Sequence, residues 1–154
     1  MAHVPQPTVL LVDDVNPARD FYVAWFASRN FQVVGTSRGD VALAMIAEGR
    51  PDLLVLEFAL PGLCGLDVIR RVRRSSTAAD LPILVLTSSS DPVLLQRAEA
   101  MGVPVVPKLG DPVTLWRTIL AIAPEDMWNR PRPSVDYSID SAIDSARLAR
   151  VRES

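Results

Sequence analysis

The sequence predicts an α/β fold in which a doubly wound sheet of five parallel strands carries helices on both faces. Two observations predict it. Between residues 8 and 122, short apolar runs alternate five times with segments of helical periodicity. The apolar runs are rich in Val, Leu and Ile and mostly lack a period of two, which is typical of strands buried on both faces. Each connecting helix must then bury its apolar stripe against the sheet.

The five apolar runs define the predicted strands. They are residues 8–13, 31–35, 52–58, 82–87 and 103–106. The first and third runs end next to acidic residues, and the fourth ends in Thr87. The fifth run is the least regular, because Pro104 and Pro107 remove backbone donors and indicate a short strand.

The five helices are predicted from their start and stop signals. Residues that favour N-caps precede four of them: Asn16, Asp40, Asp91 and Asp111. Proline follows three of these caps, and proline is favoured at the first helical position. The predicted helices are residues 17–30, 41–48, 66–74, 92–101 and 112–122.

Composition limits the function classes. A chain of 154 residues, 49% hydrophobic and 22% charged, is expected to form one domain and not to be generally disordered. The formal net charge is −2 and the longest basic cluster, residues 70–74, is short, so we expect no nucleic-acid partner.

The single cysteine excludes an internal disulfide. With no signal-peptide pattern and no apolar run of roughly 18 residues, we expect a cytoplasmic protein with no membrane partner.

Polar residues follow four of the predicted strands. In parallel α/β sheets, the ligand crevice lies at the carboxyl ends of the strands. The candidate site residues are therefore those placed there: Asp13, Asp14, Glu57, Thr87, Ser88 and Lys108.

Several of these residues stand in a characteristic register. An acidic pair, Asp13-Asp14, follows the first strand, a Pro-Gly loop over residues 60–65 follows the third, and Thr87 stands 30 positions after Glu57. Lys108 stands 21 positions after Thr87. In this register, residues 8–122 resemble a receiver domain of the bacterial two-component response regulators. The resemblance implies the flavodoxin-like receiver fold with strand order 2-1-3-4-5.

The resemblance also implies a chemistry for the site. In the family, an aspartate after the third strand accepts a phosphoryl group from a histidine kinase, and an acidic pair holds Mg²⁺. Carried over, Asp13 and Asp14 correspond to the metal ligands and Lys108 to the phosphate-contacting lysine. Thr87, with Ser88 beside it, corresponds to the switch hydroxyl. The phosphoacceptor position is Glu57, where the family has aspartate.

Glu57 leads to two hypotheses. Its extra methylene carries the carboxylate about 1.5 Å further out, and a displacement of about 1 Å can slow an in-line attack on the order of a hundredfold. The first hypothesis is an atypical, phosphorylation-independent receiver that acts as a protein-interaction module and not as an enzyme, with Glu57 reaching Lys108 or Thr87. The alternative is a working phosphoryl-accepting receiver in a phosphorelay. Asp13, Asp14 and Glu57 are a candidate site for weakly bound Mg²⁺; with no metal, the three carboxylates repel one another and Lys108 alone does not balance them.

Two further departures from the family concern its switch. The family's lysine usually precedes a cis proline, but Leu109 follows Lys108, so we expect a trans bond and a lysine that points differently. Val105 stands where receivers commonly carry an aromatic residue. In the family the surface of the fourth helix, fifth strand and fifth helix binds partners. Val105 is therefore an expected contact with a histidine kinase, another regulator or a second copy of the chain. Trp116 faces either the core or the exposed side of the fifth helix, and on the exposed side it is a candidate anchor for the same partners.

The two ends of the chain fall outside the family pattern. Residues 1–7 are predicted to form a tail and residues 123–154 a C-terminal extension. Pro124, Pro131 and Pro133 indicate a linker or surface strap, and Ile139 and Ile143 share one face of a short amphipathic helix. The extension is too short for a usual effector domain, so a transcription factor is the less favoured reading.

Overall fold

Five parallel strands form the centre of the computed structural model, which describes residues 6–129. The strands are β1 (Thr8–Val12), β2 (Gln32–Thr36), β3 (Leu53–Leu56), β4 (Ile83–Thr87) and β5 (Val105–Pro107). Their order in the sheet is β2-β1-β3-β4-β5, which confirms the predicted fold and strand order. In the register of the central strands, Leu10 of β1 lies opposite Val34 of β2 and Leu54 of β3.

Five helices cover the sheet. They are α1 (Asn16–Ala27), α2 (Gly39–Glu48), α3 (Gly65–Arg74), α4 (Pro92–Ala100) and α5 (Pro112–Ile122), followed by a 3₁₀ turn at Glu125–Trp128. Alternate residues of each central strand enter opposite cores. Leu10 and Val12 pack with α2, α3 and α4, whereas Val9 and Leu11 pack with α1 and α5. Both faces of the sheet are therefore buried under helices, which explains the continuous apolar runs in the sequence.

Two of the predicted N-caps are confirmed. The side chains of Asp91 and Asp111 accept hydrogen bonds from the backbone N–H of Val93 and Val113, each at 2.9 Å. Both aspartates thereby satisfy N–H groups that the first helical turn leaves free.

The other two predicted N-caps are wrong. Helix α1 is capped by Val15, one residue before Asn16, and ends at Ala27, short of the predicted residue 30, with Asn30 at φ 66°. Helix α2 is capped by Arg38, and Asp40 lies in its first turn, where it forms an ion pair with Arg38 at 2.9 Å. The carboxylate in the first turn favours the positive end of the helix dipole without being the cap.

Strand β5 begins two residues later than predicted. Val103 is used to close α4, because its backbone N–H donates to the carbonyl of Ala98 at 3.0 Å. Pro104 has no N–H to give, yet its carbonyl accepts from Val85 at 2.9 Å. The strand therefore spans Val105–Pro107 in place of residues 103–106.

An aromatic cluster fastens the 3₁₀ turn to the domain. The ring of Trp128 packs against Phe31 and Trp116, with centroids 5.3 and 6.1 Å away. Trp116 also meets Trp25 at 6.2 Å, and the guanidinium of Arg29 lies 4.1 Å from the centre of the Trp25 ring. Trp116 is thus half-buried between α1 and the turn, and its contact with a partner stays a prediction.

The described residues end before most of the C-terminal extension. The predicted amphipathic helix with Ile139 and Ile143 and most of the N-terminal tail lie outside them. Within residues 6–129, no helix is long and apolar enough to cross a membrane.

Gly65 brings α3 against the end of β3, and we expect its replacement to destabilise the fold. A Cβ at Gly65 would lie 2.3 Å from the carbonyl oxygen of Glu57, a contact that backbone cannot relieve by a rotamer change. Gly65→Ala should lower the free energy of unfolding in urea by about 1–3 kcal/mol. Gly35→Ala is the control, because its added Cβ meets only the flexible Arg19 side chain at 3.4 Å. Equal effects of both variants would contradict the argument.

Candidate functional site

The carboxyl ends of four neighbouring strands bring four charged or polar side chains together. Asp13 follows β1, Glu57 follows β3, Thr87 ends β4 and Lys108 follows β5. Asp13, Glu57 and Thr87 are 2, 5 and 2% exposed, and the Lys108 side chain is 8% exposed. The crevice rule applied to the sequence selects all four of these residues.

Lys108 lies between the two buried carboxylates. Its Nζ is 2.7 Å from Oδ2 of Asp13 and 2.9 Å from Oε2 of Glu57. Desolvation lowers the pKa of Lys108, but the hydrogen bonds and charges of Asp13 and Glu57 outweigh it and hold that pKa above its ordinary value. The lysine is therefore an ammonium ion shared by two carboxylates.

The second oxygen of Glu57 connects the acid to the threonine. Oε1 accepts a hydrogen bond from the backbone N–H of Phe58 at 2.7 Å and another from the Thr87 hydroxyl. The same hydroxyl oxygen accepts from the backbone N–H of Ser89 at 3.0 Å. Glu57 thus contacts Thr87 and Lys108 at once, and the orientation of the hydroxyl is fixed from both sides.

The backbone around Lys108 is held on both sides of the lysine. The N–H of Lys108 donates to the carbonyl of Thr87 at 2.8 Å, and the N–H of Leu109 donates to the Tyr22 hydroxyl at 2.6 Å. Residues 6–129 contain no cis peptide bond, as expected for Leu109, which adopts φ 57°. The expectation that a trans bond would redirect the lysine is wrong: Lys108 points into the site. No sequence signal identified Tyr22, because its partner is 87 positions away.

The remaining predicted site residues lie around this network. Asp14 and Ser88 are exposed, and no described contact joins either of them to Glu57. Val105 is half-buried and lines a cavity of about 610 Å³ between α4 and β5, which Thr87 and Lys108 border on one side.

The described arrangement pairs the oxygens of Asp13 and Glu57 with protein donors and leaves the exposed Asp14 as the remaining predicted Mg²⁺ ligand. Oδ1 of Asp13 accepts from the Val15 N–H at 3.0 Å, and its Oδ2 and both Glu57 oxygens are bonded as described above. Mg²⁺ needs near-octahedral oxygens at roughly 2.0–2.1 Å, and these oxygens are directed at protein donors. Within residues 6–129, no group of three or more His, Cys, Asp or Glu side chains is arranged to hold a metal ion.

A double-mutant cycle should detect the buried ion pair. Lys108→Met leaves two buried carboxylates without their cation, and we expect a loss of about 3 kcal/mol in the free energy of unfolding. Adding Glu57→Gln should restore part of that loss, with a coupling of more than about 1 kcal/mol in urea denaturation. Arg74→Met, an exposed cation at the end of α3, should be additive with Glu57→Gln. Additivity of Lys108→Met with Glu57→Gln would show that the pair carries no net interaction.

Comparison with known proteins gives the chain its relatives. The sequence model of the response regulator receiver domain matches residues 9–119. The response regulator MprA of Mycobacterium avium is 44% identical over 80 residues, which are 52% of this chain and 34% of that protein. The phosphate regulon transcriptional regulatory protein PhoB of Pseudomonas aeruginosa is 31% identical over 84 residues, 54% of this chain and 37% of that protein. The chain therefore spans about a third of the length of these curated relatives.

Solved structures agree with the sequence relatives. The chemotaxis response regulator CheY4 of Vibrio cholerae superposes with a TM-score of 0.69 at 27% identity, over 77% of this chain and 99% of that one. The receiver domain of sensor histidine kinase PA1611 from Pseudomonas aeruginosa, solved with magnesium in its active site cleft, gives 0.66 at 22% identity, over 77% and 98%. The second likeness shows the fold alone.

The family match covers more than half of the sequence, and it coincides with the five strands and with the site at their carboxyl ends. Receiver domains of this family act as signalling modules in two-component systems. On this evidence, the chain belongs to the response regulator receiver domain family.

Proposed function

We propose that this chain is a phosphorylation-independent receiver, a protein-interaction module of two-component signalling without enzymatic turnover. The observation that carries the proposal is the double contact of Glu57 with the Lys108 ammonium and the Thr87 hydroxyl. In the receiver chemistry that the family implies, these two groups contact the phosphoryl oxygens. Here a resident carboxylate engages both of them.

The Glu57 carboxylate imitates a phosphoryl group incompletely, because it carries less negative charge. A carboxylate offers one negative charge and two acceptor oxygens, whereas an acyl phosphate offers nearly two charges and three oxygens. The Glu57 oxygens nonetheless contact both the Lys108 ammonium and the Thr87 hydroxyl. The backbone N–H of Ser89 donates to the same hydroxyl oxygen, which links the loop after β4 to Thr87. The proposed output is a fixed shape of the β4–α4 and β5–α5 loops, presented to a histidine kinase, another regulator or a second copy.

The alternative, a phosphoryl-accepting receiver, draws support from the convergence of Asp13, Thr87 and Lys108. It requires a free carboxylate oxygen aligned for in-line attack. Both oxygens of Glu57 are engaged by protein donors, and the residue is 5% exposed. This burial favours the first proposal.

Phosphoryl transfer can be tested directly. The native protein is incubated with acetyl phosphate and Mg²⁺ and its intact mass is followed over time, with Glu57→Asp treated in parallel. We expect no phosphoryl adduct on the native chain and an adduct on Glu57→Asp, because the shorter side chain withdraws the carboxylate from Thr87 and Lys108. An adduct on the native protein that maps to Glu57 would contradict the proposal and support the phosphorelay alternative.

The fixed shape of the loop should depend on Glu57. Glu57→Ala removes the acceptor of the Thr87 hydroxyl, so we expect faster deuterium uptake by the backbone of residues 87–90 in hydrogen-exchange mass spectrometry. Glu125→Ala, an exposed acid in the 3₁₀ turn, is the control and should leave this uptake unchanged. Equal uptake in native protein and Glu57→Ala would mean that Glu57 does not hold the loop.

A further inference from the structure

A groove between α1 and the start of α5 carries two strongly exposed apolar side chains. Leu109 is the most exposed large apolar residue within residues 6–129, at 71%, and Phe21 is 52% exposed. Both line the same groove, which has a volume of about 230 Å³, together with Trp25 and Leu115. Large apolar side chains that are grouped in solvent mark a contact surface.

The exposure of Leu109 is imposed by the fold. The residue adopts φ 57°, a left-handed conformation that non-glycine residues seldom take. Its backbone N–H donates to the hydroxyl of the buried Tyr22 at 2.6 Å. Strain of this kind persists only where the surrounding structure requires it. The leucine side chain is therefore held at the border of the groove.

The described part of the chain ends beside this groove. Trp128 packs on Trp116 at 6.1 Å, and the guanidinium of Arg29, which lines the groove, lies 5.6 Å from the same Trp116 ring. The groove thus continues the surface on which the 3₁₀ turn already packs. Residues 130–134 contain two prolines and are predicted to form an extended linker, which reaches about 15 Å. That length is enough to carry the following residues from Asn129 into the groove.

The order of charges in the C-terminal extension matches the order of charges along the groove. Arg29 follows the last residue of α1, near the 3₁₀ turn, whereas Asp111 lines the other end, at the start of α5. In the sequence the acidic residues come first and the basic ones follow: Asp136, Asp140 and Asp144, then Arg147, Arg150 and Arg152. A segment that runs from the turn along the groove therefore brings its acids towards Arg29 and its arginines towards Asp111.

We propose that residues 135–146 of this chain occupy the groove between α1 and α5, with Ile139 and Ile143 against Phe21 and Leu109. The two isoleucines are four positions apart and share one face of the predicted helix. This is the spacing with which an amphipathic helix anchors in an apolar groove. The inference goes beyond the proposed function, because it concerns a different face of the domain and holds whatever the chemistry of the phosphoacceptor position.

A photo-crosslinker at position 21 reports the occupant of the groove directly. Phe21→benzoylphenylalanine in the full chain keeps an aromatic ring there, and the products of irradiation are identified by peptide mapping. An equal mixture of isotope-labelled and unlabelled protein separates links within one chain from links between two. We expect links within one chain to residues 135–146. Arg71→benzoylphenylalanine, an exposed position of α3 on the other face of the sheet, is the control and should give several-fold fewer of them.

Two pairs of substitutions test the apolar face of the segment. Ile139→Asn with Ile143→Asn should lower the yield of the links from position 21 several-fold. Ser141→Asn with Ser145→Asn introduces the same side chains on the opposite side of the predicted helix and should leave the yield unchanged. Both pairs leave residues 6–129 unaltered, so the groove itself is the same in each variant.

The remaining outcomes would overturn the proposal. Links between two chains would assign the groove to a second copy, and an absence of links to residues 135–146 would leave the segment outside the groove. Equal yields with the two asparagine pairs would show that the isoleucines do not seat the segment. None of these outcomes depends on whether Glu57 accepts a phosphoryl group, which the mass measurement with acetyl phosphate tests separately.

Discussion

The sharing of one ammonium ion by Asp13 and Glu57 is the interaction on which the site depends. Burial of two carboxylates without a cation is unfavourable, since charged groups lose their hydration and repel each other in a medium of low dielectric constant. The strand order places β1, β3, β4 and β5 side by side, so Lys108 must reach across the end of β4 to both acids. The long stem of lysine spans that gap, and Thr87 of β4 lies beneath it.

The extra methylene group of Glu57 accounts for the contacts of the acid at the phosphoacceptor position. Glutamate at position 57 places its carboxylate further along the side chain than aspartate does, which brings one oxygen to Lys108 and the other to Thr87. The same extension lets Oε1 fold back onto the N–H of the following residue, Phe58. The acid is thus oriented by its own backbone as well as by its partners, and it is only 5% exposed.

The sequence predicted the architecture because its signals are local. Continuous apolar runs and Asp-Pro helix starts are read over a few residues, and β1 to β4, α4 and α5 fall within a few residues of their predicted positions. The fold class then places Asp13, Glu57, Thr87 and Lys108 at one edge. The N-caps of α1 and α2 and the start of β5 were wrong for local reasons, whereas the other misses depend on contacts between distant segments. The Val103 N–H donates to the carbonyl of Ala98, so β5 begins later than predicted. Trp128 packs on Trp116 and half-buries it, and Tyr22 meets Leu109 only in the folded chain.

The composition of the chain gains a physical meaning from this site. Among 16 basic residues one is lysine, a ratio that a genome favouring arginine codons would produce. At position 108, however, one nitrogen serves two carboxylates on different strands, at 2.7 and 2.9 Å. A guanidinium is a planar fork that spreads its donors over several nitrogens and suits one carboxylate in a bidentate contact. It would need a wider space in a crevice where the Lys108 side chain is only 8% exposed. A compact point charge is what the network of Asp13, Glu57 and Thr87 requires, and the single lysine of the chain supplies it.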